Sequence, residues 1–264
     1  MKRVLLLHGY GGNATIFSKK IDFIRQQCGN DCEFVALDGP ISLKSSEIPP
    51  YLLAKIAVGA RLNQFAGRPP LQIDYRAWWL RGNPETIIEY VKFIITFMNR
   101  QSVPFDGVLG FSNGAAAAAL LTALLEHPEF ISIITREQFA IWAPGSSDAP
   151  HPPLKFCIAV AGFRPRSLRS LDTLFERGVN TPTLHIIGEA DQLVPVNLAE
   201  TLVQVCHNSR VEKHNGGHII PAGMYWGQFI ARYISLQDHK QSAAVPSPGS
   251  SVPAPAFRAF RGSL

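Results

Sequence analysis

The spacing of apolar residues along the chain predicts an alternation of strands and helices. Short apolar runs, typical of buried strands, lie at residues 4–7, 33–40, 105–111, 154–163 and 181–189. Apolar residues recur at helical spacing at Phe17, Ile21 and Ile24, and across residues 84–99, 113–126, 195–207 and 220–236. Strands that alternate with helices predict the α/β class, with a central, mostly parallel sheet and helices on both faces.

Two regions depart from this alternation. Residues 41–83 contain two Pro-Pro pairs and the pair Trp78-Trp79, and they form a long connection with apolar content. We interpret this stretch as a lid-like insertion, because long connections in compact domains often cover a site. Residues 241–264 are rich in Pro, Ser and Ala and cannot build a core, which predicts a disordered tail after a single domain over residues 1–240.

Composition narrows the function classes. The chain has 264 residues, 46% of them hydrophobic, which is enough for one large core. Its formal net charge is +5 without a long Lys/Arg run, so we do not expect a nucleic-acid partner. The densest basic cluster contains Arg164, Arg166 and Arg169. It is interpreted as a solvated loop, with docking of an acidic partner or a phosphate as the alternative.

Cysteine content and hydropathy set the expected compartment. Of four cysteines, only Cys28 and Cys32 are close in sequence, and no second pair completes a zinc site. No run of 18 apolar residues occurs, so no membrane span is expected. The apolar run near the N-terminus is too short for a signal peptide. The sequence therefore predicts reduced thiols and a cytoplasmic protein.

The stretch GFSNG at residues 110–114 matches the pattern G-x-S-x-G. This pattern is typical of a sharp strand-to-helix turn that exposes a nucleophilic serine, with small neighbours preventing clashes. An apolar run precedes Ser112 and five alanines follow the pattern, as a strand and a tightly packed helix require. The alternative is an ordinary turn in which Ser112 only caps the helix.

A serine hydroxyl needs a base, and His218 is the candidate. It lies late in the chain, in the Gly-rich stretch HNGGHIIP before a predicted helix. The nearest rival is His214, which lies beside an apparent strand end and lacks that loop context. A third interpretation is that His218 belongs to an ordinary surface loop.

Asp191 is the candidate acid. It follows the predicted strand that ends at Gly188, 79 residues after Ser112 and 27 before His218. The order serine, acid, histidine is the one that this kind of strand-turn-helix site uses. Glu189 is the competing carboxylate, with an exposed loop position as its alternative.

An oxyanion hole requires two backbone N–H groups near the serine. One is expected from Asn113, the residue after the nucleophile. The other is expected from the first strand-to-helix loop, HGYGGN, where Tyr10 is the preferred donor and Gly11 the alternative. His8 is expected to brace this loop rather than to take part in the chemistry. This chemistry requires no metal or organic cofactor.

Six segments occur in a fixed order along the chain: LLLHGYGGN, DGP, AWW, GFSNGA, GEADQLVP and HNGGHIIP. Together they resemble the FSH family of eukaryotic and fungal serine hydrolases, and the resemblance covers roughly residues 3–235. It implies the α/β-hydrolase fold and the triad Ser112, Asp191 and His218. One departure is Asn113, where the family commonly has Gln. This leaves the backbone donor intact but puts a side-chain contact in doubt.

The resemblance also bears on the substrate. Fungal members often release acyl chains from the carrier protein of a polyketide synthase, so it implies a thioesterase or esterase in secondary metabolism. We expect Trp78, Trp79 and Phe111 to contact the hydrophobic acyl chain, with core packing as the alternative for the two tryptophans. The competing functions are an acyltransferase or macrocyclising esterase, a small-ester carboxylesterase and, last, a non-catalytic binding module.

Overall fold

The computed structural model describes residues 1–50, 52–54, 74–136, 151–236 and 245–248. The main strands are β1 (Lys2–Leu7), β2 (Cys32–Leu37), β5 (Gly107–Phe111), β6 (Phe156–Val160), β7 (Thr183–Gly188) and β8 (Ser209–His214), and two short strands are β3 (Ile41–Ser42) and β4 (Arg76–Ala77). The helices are α1 (Ala14–Lys20), α2 (Asp22–Cys28), α3 (Glu85–Asn99), α4 (Asn113–Glu126), α5 (Glu129–Thr135), α6 (Arg169–Glu176), α7 (Val196–Val203) and α8 (Met224–Ser235).

The six main strands form one parallel sheet in the order β2-β1-β5-β6-β7-β8. The chain starts near one edge, crosses back to add β2, and then adds strands toward the other edge. Because the strands are parallel, their carboxyl ends all lie at one end of the sheet, where the loops that follow β1, β5, β7 and β8 meet. This end is the usual location of a site in an open parallel sheet.

Alternating side chains of each strand enter two separate cores, one on each face of the sheet. On β1, Val4 and Leu6 pack with residues of α1, α2 and α8, whereas Leu5 and Leu7 pack with residues of α3 and α4. This two-residue alternation is the direct consequence of strand geometry. The predicted parallel sheet with helices on both faces is thereby confirmed.

Two local predictions differ from the structure. The apolar spacing from Phe17 to Ile24 predicts one helix, but the chain forms α1 and α2 with Ile21 between them. The ψ angle of Ile21 lies outside the helical range, which ends α1 there. The Ile21 N–H still donates to carbonyls of α1. Both helices can thus keep their apolar faces on the same core despite the break. Strand β8 adds a sixth member to the five strands predicted from apolar runs.

Both ends of the predicted insertion are anchored. Strands β3 and β4 pair antiparallel, with Ile41 opposite Ala77 and Ser42 opposite Arg76. Their apolar residues pack with Leu43 and Ile48 in a small separate cluster. Residues 51 and 55–73 lie outside the described residues, so the lid role of residues 41–83 stays a prediction.

Part of the predicted disordered tail packs on the domain. Val245 is 4% exposed and lies in the same core as residues of α8. The Arg210 side chain donates to the Val245 carbonyl at 2.6 Å, and Ser247 donates to Glu212 at 2.9 Å. Residues 245–248 therefore contact the domain, while residues 241–244 and 249–264 lie outside the described residues and their disorder stays a prediction.

Candidate active site

Ser112 lies at the sharp turn between β5 and α4. Its backbone has φ 56° and ψ −122°, a strained combination for a residue with a side chain. The turn is closed tightly, because a Cβ on Gly110 would overlap the Gly114 carbonyl and a Cβ on Gly114 would overlap the Leu7 carbonyl. The glycines of G-x-S-x-G are therefore required by backbone contacts on both sides of Ser112.

His218 contacts Ser112 directly. The distance from His218 Nε2 to Ser112 Oγ is 2.9 Å, although the two residues are 106 positions apart. The imidazole also packs against the ring of Phe111, with 4.9 Å between ring centroids. The side chain of His218 is 15% exposed and Ser112 is half-buried, so solvent reaches part of this pair.

Asp191 holds the other nitrogen of His218. Its Oδ2 lies 2.7 Å from His218 Nδ1, and its side chain is fully buried. The second oxygen, Oδ1, accepts hydrogen bonds from the N–H groups of Leu193 and Val194, both at 2.9 Å. These two bonds fix the carboxylate and direct its remaining oxygen at the imidazole.

The two competing residues lie elsewhere. Glu189 is exposed. His214 is buried, accepts from the Gly216 N–H at 3.1 Å, and packs edge-on against Trp226. Burial lowers the pKa of His214, so it supports the loop before His218 as a neutral ring. The structure thus brings Ser112, Asp191 and His218 together and leaves both rivals outside the contact.

The loop after β1 faces the start of α4. Within this loop, the Gly11 N–H donates to the Arg76 carbonyl at 2.8 Å and the Gly12 N–H donates to the Gly9 carbonyl at 2.9 Å. These amides are therefore engaged in fixing the loop, which favours Tyr10 over Gly11 as an oxyanion donor. Asn113 is the first residue of α4, where the N–H has no acceptor within the helix.

His8 has the bracing position that the sequence predicts. Its Nε2 accepts the Gly39 N–H at 2.9 Å, which leaves Nδ1 protonated to donate to the Gly9 carbonyl at 2.8 Å. Burial lowers the pKa of His8, with Asp38 opposing and Arg76 reinforcing that shift. The ring is consequently neutral and fixes the loop that contains Tyr10.

The two tryptophans do not line an open mouth in this structure. Trp78 is 0% and Trp79 is 6% exposed, and both rings pack against Tyr90 of α3. The expected contact of Trp78 and Trp79 with substrate is therefore not supported, and the alternative of core packing describes them. Phe111 is half-buried beside His218, where contact with a bound acyl group stays a prediction.

Sequence reasoning missed one connection at the site. The side-chain oxygen of Asn113 accepts the Trp78 backbone N–H at 3.2 Å, and the Trp78 indole donates to the His8 carbonyl at 2.7 Å. The only signal in the sequence was the departure from Gln at position 113. Among the described residues, no group of three or more His, Cys, Asp or Glu side chains could hold a metal ion. No helix among them could span a bilayer.

The parallel sheet, the strained serine turn and the Ser-His-Asp contacts together define an α/β-hydrolase of the serine type. A model of the serine hydrolase (FSH1) family matches residues 1–230, and the chain belongs to that family. Among curated relatives, esterase OVCA2 of Homo sapiens is 29% identical over 246 residues, covering 88% of this chain and 95% of that protein.

Two further comparisons add context. A protein of Schizosaccharomyces pombe named dihydrofolate reductase is 29% identical over 226 residues, which cover 83% of this chain. This chain spans only 44% of the length of that relative. Among solved structures, Zea mays acyl-protein thioesterase 2 superposes with a TM-score of 0.56 at 15% identity, covering 90% of this chain and 94% of that one. This last similarity supports the fold alone.

Proposed function

We propose that this protein cleaves ester or thioester bonds of hydrophobic acyl substrates through an acyl-Ser112 intermediate. The observation that carries the proposal is the continuous contact from Ser112 Oγ to His218 Nε2 at 2.9 Å and from His218 Nδ1 to Asp191 Oδ2 at 2.7 Å. This is the arrangement of nucleophile, base and orienting acid that acyl transfer to serine requires.

In the proposed reaction, Ser112 Oγ attacks the substrate carbonyl carbon while His218 Nε2 takes the hydroxyl proton. His218 then gives this proton to the leaving alcohol or thiol, which leaves the acyl group on Ser112. A water molecule then attacks the acyl carbon while His218 Nε2 takes one of its protons. His218 returns this proton to Ser112 Oγ as the acyl bond to Ser112 breaks, and the carboxylic acid is released. Asp191 keeps Nδ1 protonated and stabilises the imidazolium without taking its proton.

The backbone N–H groups of Tyr10 and Asn113 are the proposed oxyanion donors. Three features support them: the engagement of the Gly11 and Gly12 amides elsewhere, the position of Asn113 at a helix N-terminus, and the bracing of the loop by His8. Removal of one such donor typically reduces turnover by about 10²–10³-fold.

A hydrophobic acyl chain suits the apolar side chain of Phe111, which packs against the His218 ring. Half-buried Phe111 and Phe163 pack against a small apolar cluster that contains Ala161, Ile187 and Val194, at the carboxyl ends of the strands. An apolar wall next to a few directed polar groups is typical of sites for small organic ligands.

A narrower form of the proposal is release of a polyketide chain from a carrier protein. Its support is the family resemblance alone, so it enters the experiment as one substrate among several. The cytoplasmic location also stays a prediction from the sequence.

The test combines active-site labelling with a substrate series. We expect a fluorophosphonate probe to label the intact protein, and mass spectrometry to place the adduct on Ser112. The Ser112→Ala variant should remain folded, escape labelling and lose turnover by a factor on the order of 10⁴–10⁶. Ester and thioester substrates of increasing acyl length should show kcat/KM that rises with chain length.

Different results would identify the competing functions. Near-normal turnover by Ser112→Ala, or an unlabelled wild-type protein, would contradict the proposal, and the latter would favour a binding module. Product carrying an added alcohol in place of the free acid would identify an acyltransferase or macrocyclising esterase. A clear preference for carrier-bound acyl thioesters over free ones would support the narrower form, and a further preference for polyketide chains would establish it.

A further inference from the structure

One buried residue, Trp78, connects the two backbone segments that hold the proposed oxyanion donors. The Trp78 backbone N–H donates to Asn113 Oδ1 at 3.2 Å, and the Trp78 indole N–H donates to the His8 carbonyl at 2.7 Å. Asn113 carries one donor on its own backbone, and His8 lies two residues before Tyr10. A single residue thereby bonds to both sides of the site.

Trp78 itself is held from both directions. Its ring packs against the His8 imidazole at 5.0 Å and edge-on against Tyr90 at 5.8 Å. The Tyr90 hydroxyl donates to the Ala117 carbonyl of α4 at 2.7 Å. The indole is therefore fixed relative to the helix that begins at the nucleophile.

The adjacent backbone adds a second attachment to the loop. The Gly11 N–H donates to the Arg76 carbonyl, and the Arg76 N–H donates to the Gly12 carbonyl at 2.9 Å. This bridge joins the loop to β4, two residues before Trp78. The segment around Trp78 is thus part of the framework that positions the loop.

We propose that Trp78 is a positioning residue for catalysis, which sets the separation of the Tyr10 and Asn113 N–H groups through its two hydrogen bonds. This inference rests on the proposed acyl-transfer function. Donors of this kind act only if they are already placed where the oxyanion forms, since a shift of about 1 Å can cost about 10²-fold in rate. The role differs from the contact with substrate that the sequence suggests for this residue.

The kinetic signature follows from when the oxyanion exists. The negative charge on the substrate oxygen develops in the transition state and is absent in the bound substrate. A misplaced donor therefore lowers kcat while KM changes little. A tetrahedral boronic acid inhibitor should lose affinity in parallel, whereas binding of the carboxylic acid product should not.

The experiment compares Trp78→Phe with the matched variant Trp79→Phe. Each replaces an indole by a smaller ring against Tyr90, but only Trp78→Phe removes the donor to the His8 carbonyl. We expect Trp78→Phe to lower kcat by about 10- to 10²-fold with KM within about twofold. Trp79→Phe should stay within about threefold of the wild type in kcat, at a similar melting temperature.

A second pair of variants covers the case in which Trp78→Phe does not fold. Asn113→Leu removes the acceptor at similar size and should show the same fall in kcat and boronic acid affinity. Asn113→Gln keeps an amide oxygen and should recover part of both losses.

Two results would overturn the inference. One is an equal fall in kcat for Trp78→Phe and Trp79→Phe. The other is a loss in Trp78→Phe that appears in KM or in the folded fraction alone. Failure of the proposed function is distinguishable, because it appears in the wild type as absent fluorophosphonate labelling of Ser112.

Discussion

Two buried histidines at opposite ends of the sheet make the same pair of hydrogen bonds. His8, after β1, accepts the Gly39 N–H at Nε2 and bonds its Nδ1 to the carbonyl of the next residue. His151, before β6, accepts the Phe105 N–H at Nε2 at 2.7 Å and bonds its Nδ1 to the Pro152 carbonyl at 2.7 Å. Burial lowers the pKa of both rings. The same neutral brace thus fixes a loop at each end.

The two ends differ in what the fixed groups are connected to. At the amino end, the carboxylate of Glu126 accepts from the N–H groups of Asn180 and Thr181, at 2.8 and 2.7 Å. At the carboxyl end, Asp191 uses one oxygen for backbone N–H groups in the same way, but directs the other at His218. Burial and bracing occur at both ends, so the candidate site is distinguished by the bond from Asp191 to His218, which leads on to Ser112, the proposed nucleophile.

The largest expected difference between the two ends of the sheet lies in the effects of replacing their carboxylates, Asp191 and Glu126. Asp191→Asn should lower kcat by about 10⁴-fold, because an amide at this position favours the wrong tautomer of His218. Glu126→Gln should leave activity per folded molecule unchanged and lower the free energy of unfolding by about 1–2 kcal/mol, through weaker bonds to the loop N–H groups. Steady-state kinetics and urea unfolding on both variants measure the two effects.

The comparison of the two ends would fail if Glu126→Gln reduced kcat at unchanged folded fraction. It would also fail if Asp191→Asn kept more than a few per cent of wild-type turnover. In the second case, the carboxylate near His218 would be only structural.

The contacts among Ser112, Asp191 and His218 were predictable because their sequence signals are local and because the carboxyl ends of parallel strands lie at the same end of the sheet. The glycines around Ser112 indicate a turn whose backbone contacts are too close for a Cβ. Asp191 and His218 each lie in loops that follow strands. In a parallel sheet, loops after strands meet even when they are 106 residues apart in sequence. Order along the chain and strand periodicity were sufficient for these residues.

The remaining features depend on contacts that composition does not encode. A tryptophan suits a hydrophobic mouth or a core equally well, and the burial of Trp78 follows from distant partners, His8 and Tyr90. Strand β8 lies at the sheet edge and alternates exposed and buried residues, so it has no apolar run. In the tail, one buried side chain, Val245, and the Arg210 side chain are enough to hold a segment of low complexity.

Substitutions of His8 and His151 should have different effects on activity but similar effects on stability. His8→Ala and His151→Ala should each lower the free energy of unfolding by about 1–3 kcal/mol, because a buried backbone N–H loses its acceptor. Only His8→Ala should also lower kcat, by about 10²-fold, because it frees the loop that carries Tyr10. His8→Gln retains an acceptor on a side chain of similar reach and should recover part of the loss. Equal activity losses at His8 and His151 would show that the brace after β1 has no special link to catalysis.

The smallest expected effect concerns pH, and here the two braces should behave alike. The pKa of each ring is lower in the folded state than in the unfolded state. As the pH falls, the unfolded protein therefore binds the proton first, near pH 6.5, and the folded state is favoured above that pH. The contribution of these rings to the free energy of unfolding should therefore be fully present above pH 6.5. It should decrease as the pH drops from 6.5 toward the lower pKa values of the folded state.

Each such ring adds at most about 1.4 kcal/mol per pH unit to the slope of unfolding free energy against pH. Urea unfolding between pH 7.5 and 5 should show this slope, and His8→Gln and His151→Gln should each reduce it by a similar amount. A slope unchanged in His151→Gln but reduced in His8→Gln would mean that, of the two braces, only His8 contributes to the loss of stability at acid pH. The neutral braces would then differ in electrostatics as well as in what they hold, because His8 faces both Asp38 and Arg76.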